Sequence, residues 1–399
     1  MIQFPRQLEK LLLQYIKRTA STRRSPKGEV LWENRDLKHF ASGAVELSQR
    51  FTSERSQLKG DYFRDPKLRS GYLLYFLPIN FTKATDLLRR IPEARWRGDT
   101  LSFLDLGSGP ATGSLAFLTE AAGRNPKANL NIHLVDRNKR ILQDGKQLLE
   151  SWHEVLKSPA KITVSTQCGP LLQTRLRHNY DFILLHHVLN EFKGLGSPER
   201  AQWLFSLVDN HLKPGGILAL VEPALKRPGR DLMALRDHLV TTCELQVISP
   251  CLHEHPCPML SGTNGDWCHF YIDWEEPSFM RELDKILGND NRFLKMSYLL
   301  LERSKRALQR PPHHYRVVSN RMATRGKTEV ILCGEAGRIN MGRLDRHRSK
   351  TNGALDHVKR GQILRWTQWN KPGFTDDGSY RLDENSEIQI MDKGTEEEV

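Results

Sequence analysis

Two groups of residues in this chain have types and spacings that can do chemistry. The first is Asp105-Leu-Gly107-Ser-Gly109-Pro-Ala-Thr-Gly113, an acid followed by glycines in the pattern G-x-G-x-x-x-G. The apolar run before the turn reads as a buried strand, and Leu115 to Ala122 reads as a helix. The glycines therefore mark a turn where the backbone approaches a ligand and a helix N-terminus faces it. The spacing differs from the G-x-G-x-x-G of dinucleotide sites. Asp105 would repel a pyrophosphate and suits a cationic or amine-bearing ligand, which points to S-adenosylmethionine and away from NAD. Asn131 to Asp136 forms a second strand whose terminal carboxylate could take two ribose hydroxyls.

The second group is made of thiols. Within Pro250-Cys-Leu-His-Glu-His-Pro-Cys-Pro258 and Asp266-Trp-Cys-His-Phe270 the spacing is Cys251-x5-Cys257-x10-Cys268, and Cys333 follows at the end of a later strand. Prolines stiffen the loop on which three of them must converge. Four sulfur ligands suit a structural zinc or an iron-sulfur cluster. No tight Cys-x2-Cys knuckle is present, so the wide separations favour a four-iron cluster, with zinc as the alternative. Buried free thiols are the plain reading for Cys168 and Cys243.

The elements that must position these groups follow from the hydrophobic pattern. Residues 1–95 read as a helical cap, with Met1 to Arg18, Gly43 to Ser53 and Tyr72 to Leu88 at helical spacing and a break at Leu77-Pro78. A mitochondrial presequence is the less favoured reading of the first segment, because Glu9 interrupts its basic character. Residues 96–245 alternate strand and helix, the pattern of an α/β parallel sheet. Its further strands are Lys161 to Thr166, Tyr180 to His186 and Ile217 to Val221. Ligands lie beyond the carboxyl ends of such strands, which selects Asp105, Asp136, Gln167, His187 and Glu222 for one crevice. One reading has His187 or Asn190 orient a substrate; the favoured one has Asn190 and Glu191 cap or line the next helix. A helix over Asp231 to Leu245 leads to the cysteine-bearing insert at 246–302, which completes the sheet with a strand over Lys295 to Leu301. No Asn-Pro-Pro-Tyr or Asp-Pro-Pro-Tyr stands after the fourth strand, so the catalytic group is unknown.

The charge is as uneven as the pattern is regular. From Arg303 to Lys371 there are seventeen Lys and Arg against four Asp and Glu, a difference that equals the whole-chain net charge of +13. Such a block, carrying Tyr315, Trp366 and Trp369, suggests a polyanion partner, nucleic acid first, through groups such as Arg343, Arg346 and Arg348. It reads as a basic, strand-containing RNA-binding extension at 303–371. Residues 372–399 turn acidic and read as a disordered tail. No run approaches the roughly 18 apolar residues of a membrane helix.

Phe103-Leu-Asp-Leu-Gly-Ser-Gly-Pro-Ala-Thr-Gly113, Val221-Glu-Pro-Ala224, the two cysteine segments and Met296-Ser-Tyr-Leu-Leu300 together resemble the methyltransferase-like family of small-subunit ribosome assembly factors, which has mitochondrial members and bacterial relatives. The resemblance implies a Rossmann-like class I S-adenosylmethionine methyltransferase fold, a [4Fe-4S] cluster on Cys251, Cys257, Cys268 and Cys333, a methyl-donor loop with Asp105, Gly107 and Gly109, and work on the small ribosomal subunit and its rRNA. Three functions compete: an rRNA-binding assembly factor, an active rRNA methyltransferase, and a zinc-stabilised small-molecule methyltransferase. The expected compartment is a bacterial cytoplasm, with the mitochondrial matrix as the alternative.

Overall fold

The computed structural model describes residues 1–20, 34–52, 62–189, 192, 195–243, 245–261, 266–304, 310–366 and 379–391. The chain divides into two compact units. One comprises Met1–Arg89, Glu93–Val188 and Ile272–Leu294; the other comprises Arg90–Pro92, Leu189–Tyr271 and Lys295–Val399.

The first unit opens with β1 (Ile2–Gln3) and α1 (Arg6–Ala20). Leu8, Leu12 and Ile16 recur on one face of α1 and are fully buried, so the amphipathic start of the chain is a packed helix. After α2 (Asn34–Thr52) and α3 (Pro66–Gly71) comes a π-helical turn, Tyr72–Phe76, that runs directly into α4 (Leu77–Leu88). The expected break at Leu77-Pro78 is instead a widening, in which the Leu77 amide donates to the Tyr72 carbonyl five residues back. Pro78 has no N–H to give and sits in the first turn of α4, where none is required.

The sheet of this unit contains β2 (Thr100–Leu106), β3 (Asn129–Asp136), β4 (Ile162–Cys168) and β5 (Tyr180–His186), with α5 (Thr112–Arg124) and α6 (Lys139–Leu156) as crossovers. All pairings are parallel, in the order β4-β3-β2-β5. The chain moves outward from β2 to β4 and then returns to the other side of β2. The order therefore reverses between β2 and β5, which is where open α/β sheets hold their ligands. Phe103 of β2 stacks on Phe117 of α5 with ring centroids 4.2 Å apart, and Trp96 and Phe182 close the same aromatic core.

Further along the chain come α7 (Ser197–His211), β6 (Leu212–Pro223), α8 (Lys226–Thr242), β7 (Leu245–Ser249), α9 (Pro258–Ser261), β8 (Phe270–Glu275), α10 (Met280–Leu287) and β9 (Phe293–Arg303). Within the first unit β8 pairs in parallel with β1, Ile2 opposite Trp274. Within the second, β9 lies antiparallel to both β6 and β7. The helix expected to reach Leu245 stops at Thr242, and Leu245 begins a strand.

The rest of the second unit is a separate sheet built from β10 (His314–Val317), β11 (Met322–Thr324), β12 (Lys327–Gly334), β13 (Gly337–Leu344), β14 (Ile363–Trp366), β15 (Ser379–Leu382) and β16 (Ile388–Met391), in the order β15-β13-β12-β10-β14-β16 with β11 on β12. Tyr315, Val317, Val330, Leu332, Met341, Trp366 and Tyr380 fill its core. The acidic tail expected to be disordered from residue 372 supplies two of these strands. Tyr380, Leu382 and Ile388 point inward while Arg381, Glu384 and Glu387 stay exposed, an alternation that a count of charges does not register. Residues 367–378 and 392–399, Trp369 among them, lie outside the described residues.

Candidate functional site

The glycine loop lies between β2 and α5. Gly107 and Gly109 have φ of +71° and +52°, a backbone state open to glycine at little cost. A Cβ on Gly107 would also stand 2.4 Å from the Val188 side chain. The loop amides turn inward onto β3: Gly107 and Ser108 both donate to the Val135 carbonyl, at 2.8 and 3.0 Å, and Gly109 donates to Asp136 Oδ2 at 3.0 Å. Asp136 Oδ1 accepts from the Asn138 amide. The Asp105 carboxylate is buried below the loop, where its Oδ2 accepts from the Ser114 amide and hydroxyl at 3.0 and 2.7 Å. It thus ties β2 to the first turn of α5, a capping role that the sequence reading, which placed it against the ligand, did not include. Burial raises the pKa of both acids, Asp105 to about 6, with the neighbouring Asp136 charge adding to the rise at Asp105.

The other residues selected for the crevice sit at strand ends. Leu185 is in register with Leu106, so His186 follows directly opposite the start of the glycine loop. His187 turns the chain with φ +62°, and its ring lies against that of His186 with centroids 4.6 Å apart. Gln167, opposite Val135, is half-buried and reaches the Arg175 carbonyl at 3.4 Å. In the second unit the buried Glu222 accepts the Leu189 amide at 2.9 Å. Asn190 and Glu191 lie outside the described residues.

The cysteines come together within the second unit. Cys257 and Cys333 share one buried cluster with Met233, Met259 and Val318, against which Cys268 packs. Burial raises the pKa of all four thiols, Cys257 to about 11. After burial the strongest influence on Cys257, Cys268 and Cys333 is the charge of Cys251, so the four sulfurs occupy one neighbourhood. Cys333 Sγ lies 3.6 Å from His253 Nε2. Among the described residues, however, no three His, Cys, Asp or Glu side chains are arranged to hold a single metal ion.

The framework around these thiols comes from residues the sequence reading passed over. Arg236 on α8 donates to the His253 and His255 carbonyls, and Asp237 beside it accepts the Cys257 amide. Arg316 on β10 donates to the Pro250 carbonyl at 3.0 Å. Both arginines favour the thiolate form of Cys251. In the sequence only residue type marks Arg236 and Arg316, and arginine in a basic chain is too common to single them out.

The three arginines expected to meet RNA have different fates. Arg343 is buried, its side chain 1% exposed, paired with Asp356 at 2.6 Å and bonded to Asn352. The burial of Arg343 speaks against that expectation: its guanidinium is engaged with Asp356 and Asn352. Arg348 is exposed but shares Asp356 at 2.9 Å, and Arg346 is exposed.

A model of the family described as mitochondrial small ribosomal subunit Rsm22 matches residues 68–367. The chain belongs to the Rsm22 family. The Rsm22 match takes in the glycine loop, all four clustered cysteines and Arg343 to Arg348. Curated protein sequences give no match. Among solved structures the chain is similar to a putative class I S-adenosylmethionine-dependent methyltransferase from Listeria monocytogenes, at 14% identity, with 77% of this chain and 91% of that one covered and a TM-score of 0.38. It is also similar to an O-methyltransferase family protein from Burkholderia thailandensis, at 12% identity, 71% and 80% coverage and a TM-score of 0.35. A Geobacter sulfurreducens S-adenosylmethionine-dependent methyltransferase in complex with S-adenosyl-L-homocysteine gives 14%, 56% and 90%, and 0.31. No described helix of this Rsm22-family chain is long and apolar enough to cross a membrane.

Proposed function

We propose that this chain is an S-adenosylmethionine-binding, methyltransferase-like protein of the small ribosomal subunit that contacts rRNA and carries a [4Fe-4S] cluster. The ligand class rests on one observation above the others. The amides of Gly107, Ser108 and Gly109 are all engaged with the end of β3, so the loop offers no cradle for a pyrophosphate. What stands at the strand-order reversal instead is the Asp136 carboxylate, with the buried Asp105 carboxylate beneath the loop adding negative charge that suits a cationic ligand. Asp136 accepts backbone amides from Gly109, Arg137 and Asn138, and its two oxygens have lone-pair capacity beyond these for a ribose hydroxyl.

For the thiols, the donor set fits a thiolate-ligated group: four free cysteines in one buried neighbourhood, with Arg236 and Arg316 positioned to offset negative charge. A single zinc draws every sulfur to about 2.3 Å of one point, whereas a four-iron cube takes one sulfur at each corner and spreads them. The wide spacing of the cysteines, with no Cys-x2-Cys knuckle, favours the cluster over zinc. Held by Cys251, Cys257, Cys268 and Cys333, the cluster would supply a redox-sensitive cross-link between the 250–268 loop and β12. Loss of iron would then loosen the basic sheet.

The family description names the mitochondrial small subunit, and this favours the mitochondrial matrix over a bacterial cytoplasm and rRNA over a small-molecule substrate. Arg346 and Arg348 remain on the proposed RNA surface. Whether methyl transfer occurs is decided by transfer of tritium from labelled S-adenosylmethionine to immature small subunits, which only the active-enzyme alternative produces. The main reading is tested by purifying the protein without oxygen. About four irons and broad absorption near 400 nm are expected, together with binding of S-adenosylhomocysteine. A colourless zinc-loaded preparation overturns the cluster, and failure to bind S-adenosylhomocysteine overturns the ligand.

A further inference from the structure

Beside the glycine loop the first unit holds a lysine and a histidine, neither with an acid among the groups that shift its pKa. His186 stands at the carboxyl end of β5 opposite the loop, and its Nε2 is buried with no hydrogen-bond partner. Burial brings the His186 pKa down to about 3, and the charge of Lys83, on the α4 helix that packs against α5, is close enough to add to that fall. Burial is the influence that brings Lys83 itself down to about 8.

The nearby carboxylates are Asp86, buried one turn along α4 from Lys83, and three acids of the sheet and α5. Asp105 is held by Ser114, Asp136 by Gly109 and Asn138, and Glu120 of α5 pairs with Arg89 and Arg124. None of these acids is among the influences on Lys83. A half-buried ammonium without an offsetting anion is costly, and an orphaned ring nitrogen beside it adds to the cost. Both are relieved together by one ligand group that is anionic and accepts hydrogen bonds. Their place, at the strand-order reversal next to Gly107, puts that group at the ligand's end of the loop.

We propose that Lys83 and His186 receive the α-carboxylate at the amino-acid end of the bound ligand, Lys83 as its counter-cation and His186 Nε2–H as a hydrogen-bond donor. The inference rests on the S-adenosylmethionine reading and adds to it a residue pair, one member of which comes from the helical cap. It divides the site into an adenosine end held at Asp136 and an amino-acid end held at α4 and β5.

The test uses calorimetric titration of the full chain with two ligands. S-adenosylhomocysteine carries the carboxylate, while 5′-methylthioadenosine has the same nucleoside and thioether without the amino-acid end. Lys83→Met is expected to weaken S-adenosylhomocysteine by roughly 10- to 100-fold, the range for a charged hydrogen bond, and to leave methylthioadenosine unchanged. His186→Phe should show the same selectivity to a smaller degree. Methylthioadenosine binding by the variants serves as the control for folding. Equal weakening of both ligands by both variants, or of neither, overturns the pair. If the wild-type chain binds neither ligand, the S-adenosylmethionine reading itself fails.

Discussion

The Gly109 amide donates to the Asp136 carboxylate across 3.0 Å, fastening the tip of the glycine loop to the end of the neighbouring strand. One side chain therefore shapes the loop and, with its remaining lone pairs, is placed to bind what lies over it. Asp136→Ala removes both roles, whereas Asp136→Asn keeps an oxygen for Gly109 and loses the charge. The alanine variant is expected to bind S-adenosylhomocysteine roughly 10- to 100-fold more weakly and to exchange the Gly109 amide faster, and the asparagine variant to slow that exchange again without restoring affinity. Titration and hydrogen exchange measure the two roles separately; unchanged affinity in Asp136→Ala removes the residue from the site.

Asp105 makes stability depend on pH in a defined direction. Its pKa is raised from 3.8 to about 6 in the folded chain, chiefly by burial. The folded state then holds the proton more tightly than the unfolded state. The ionised carboxylate costs stability above about pH 6, and that cost disappears as pH falls from about 6 to about 4. Two units correspond to at most about 3 kcal/mol. Asp105→Asn, which can still accept from Ser114, should flatten this part of the profile in urea unfolding between pH 4 and 7. Asp136 and Asp144, raised in the same direction, would continue to contribute to the slope. Parallel profiles for wild type and variant would refute the assignment.

Arg343 and Arg346 are three residues apart and should separate folding from RNA binding. Arg343→Met leaves Asp356 without its buried partner, although Arg348 still reaches that carboxylate. A loss of about 2–4 kcal/mol is expected, at or below the usual range for a broken buried pair. The salt dependence of rRNA binding by the folded fraction should be unchanged. Arg346→Gln should leave the melting temperature alone and reduce the salt slope by about 0.7–0.9, one phosphate's worth. The opposite pattern would place Arg343 on the RNA.

Two glycines of the same motif, Gly107 in the loop and Gly113 in the first turn of α5, should fail for different reasons. A Cβ on Gly113 would lie 2.2 Å from Leu184 Cδ2 and 3.1 Å from Asp105 Oδ2, so Gly113→Ala is a steric insult of about 1–3 kcal/mol. Shortening Leu184 to Ala should recover part of it, visible as coupling in a double-mutant cycle. At Gly107 the clash is with Val188, but φ is +71° as well. Val188→Ala should therefore leave about 1–2 kcal/mol of backbone strain in Gly107→Ala. Full rescue at Gly107, measured by urea unfolding, would show that the positive φ is not a constraint.

Much of the first unit is legible from local pattern. β5 runs over Tyr180–His186 as expected, and β2, β3 and β4 lie within a few residues of their expected bounds. Each is a short apolar run ended by a turn, and such a run reports its own burial. The thiol spacing likewise marked the four cysteines as a set, because prolines and clustered ligand types are visible one residue at a time. Boundaries around Leu245 and Pro78 were less legible, since a helix end depends on which backbone groups find partners elsewhere.

What the residues alone determined is the set of local elements and the chemical types available: a carboxylate-flanked glycine turn, four thiols and a basic stretch. The fold decided how each is used. It turned the loop amides onto β3, spent Asp105 on capping α5, enclosed Arg343 with Asp356, and made strands of an acidic segment. Those outcomes depend on partners tens of residues away in sequence. A side chain's type sets what bonds it can make, but burial and the nearest opposite charge set which of them it makes.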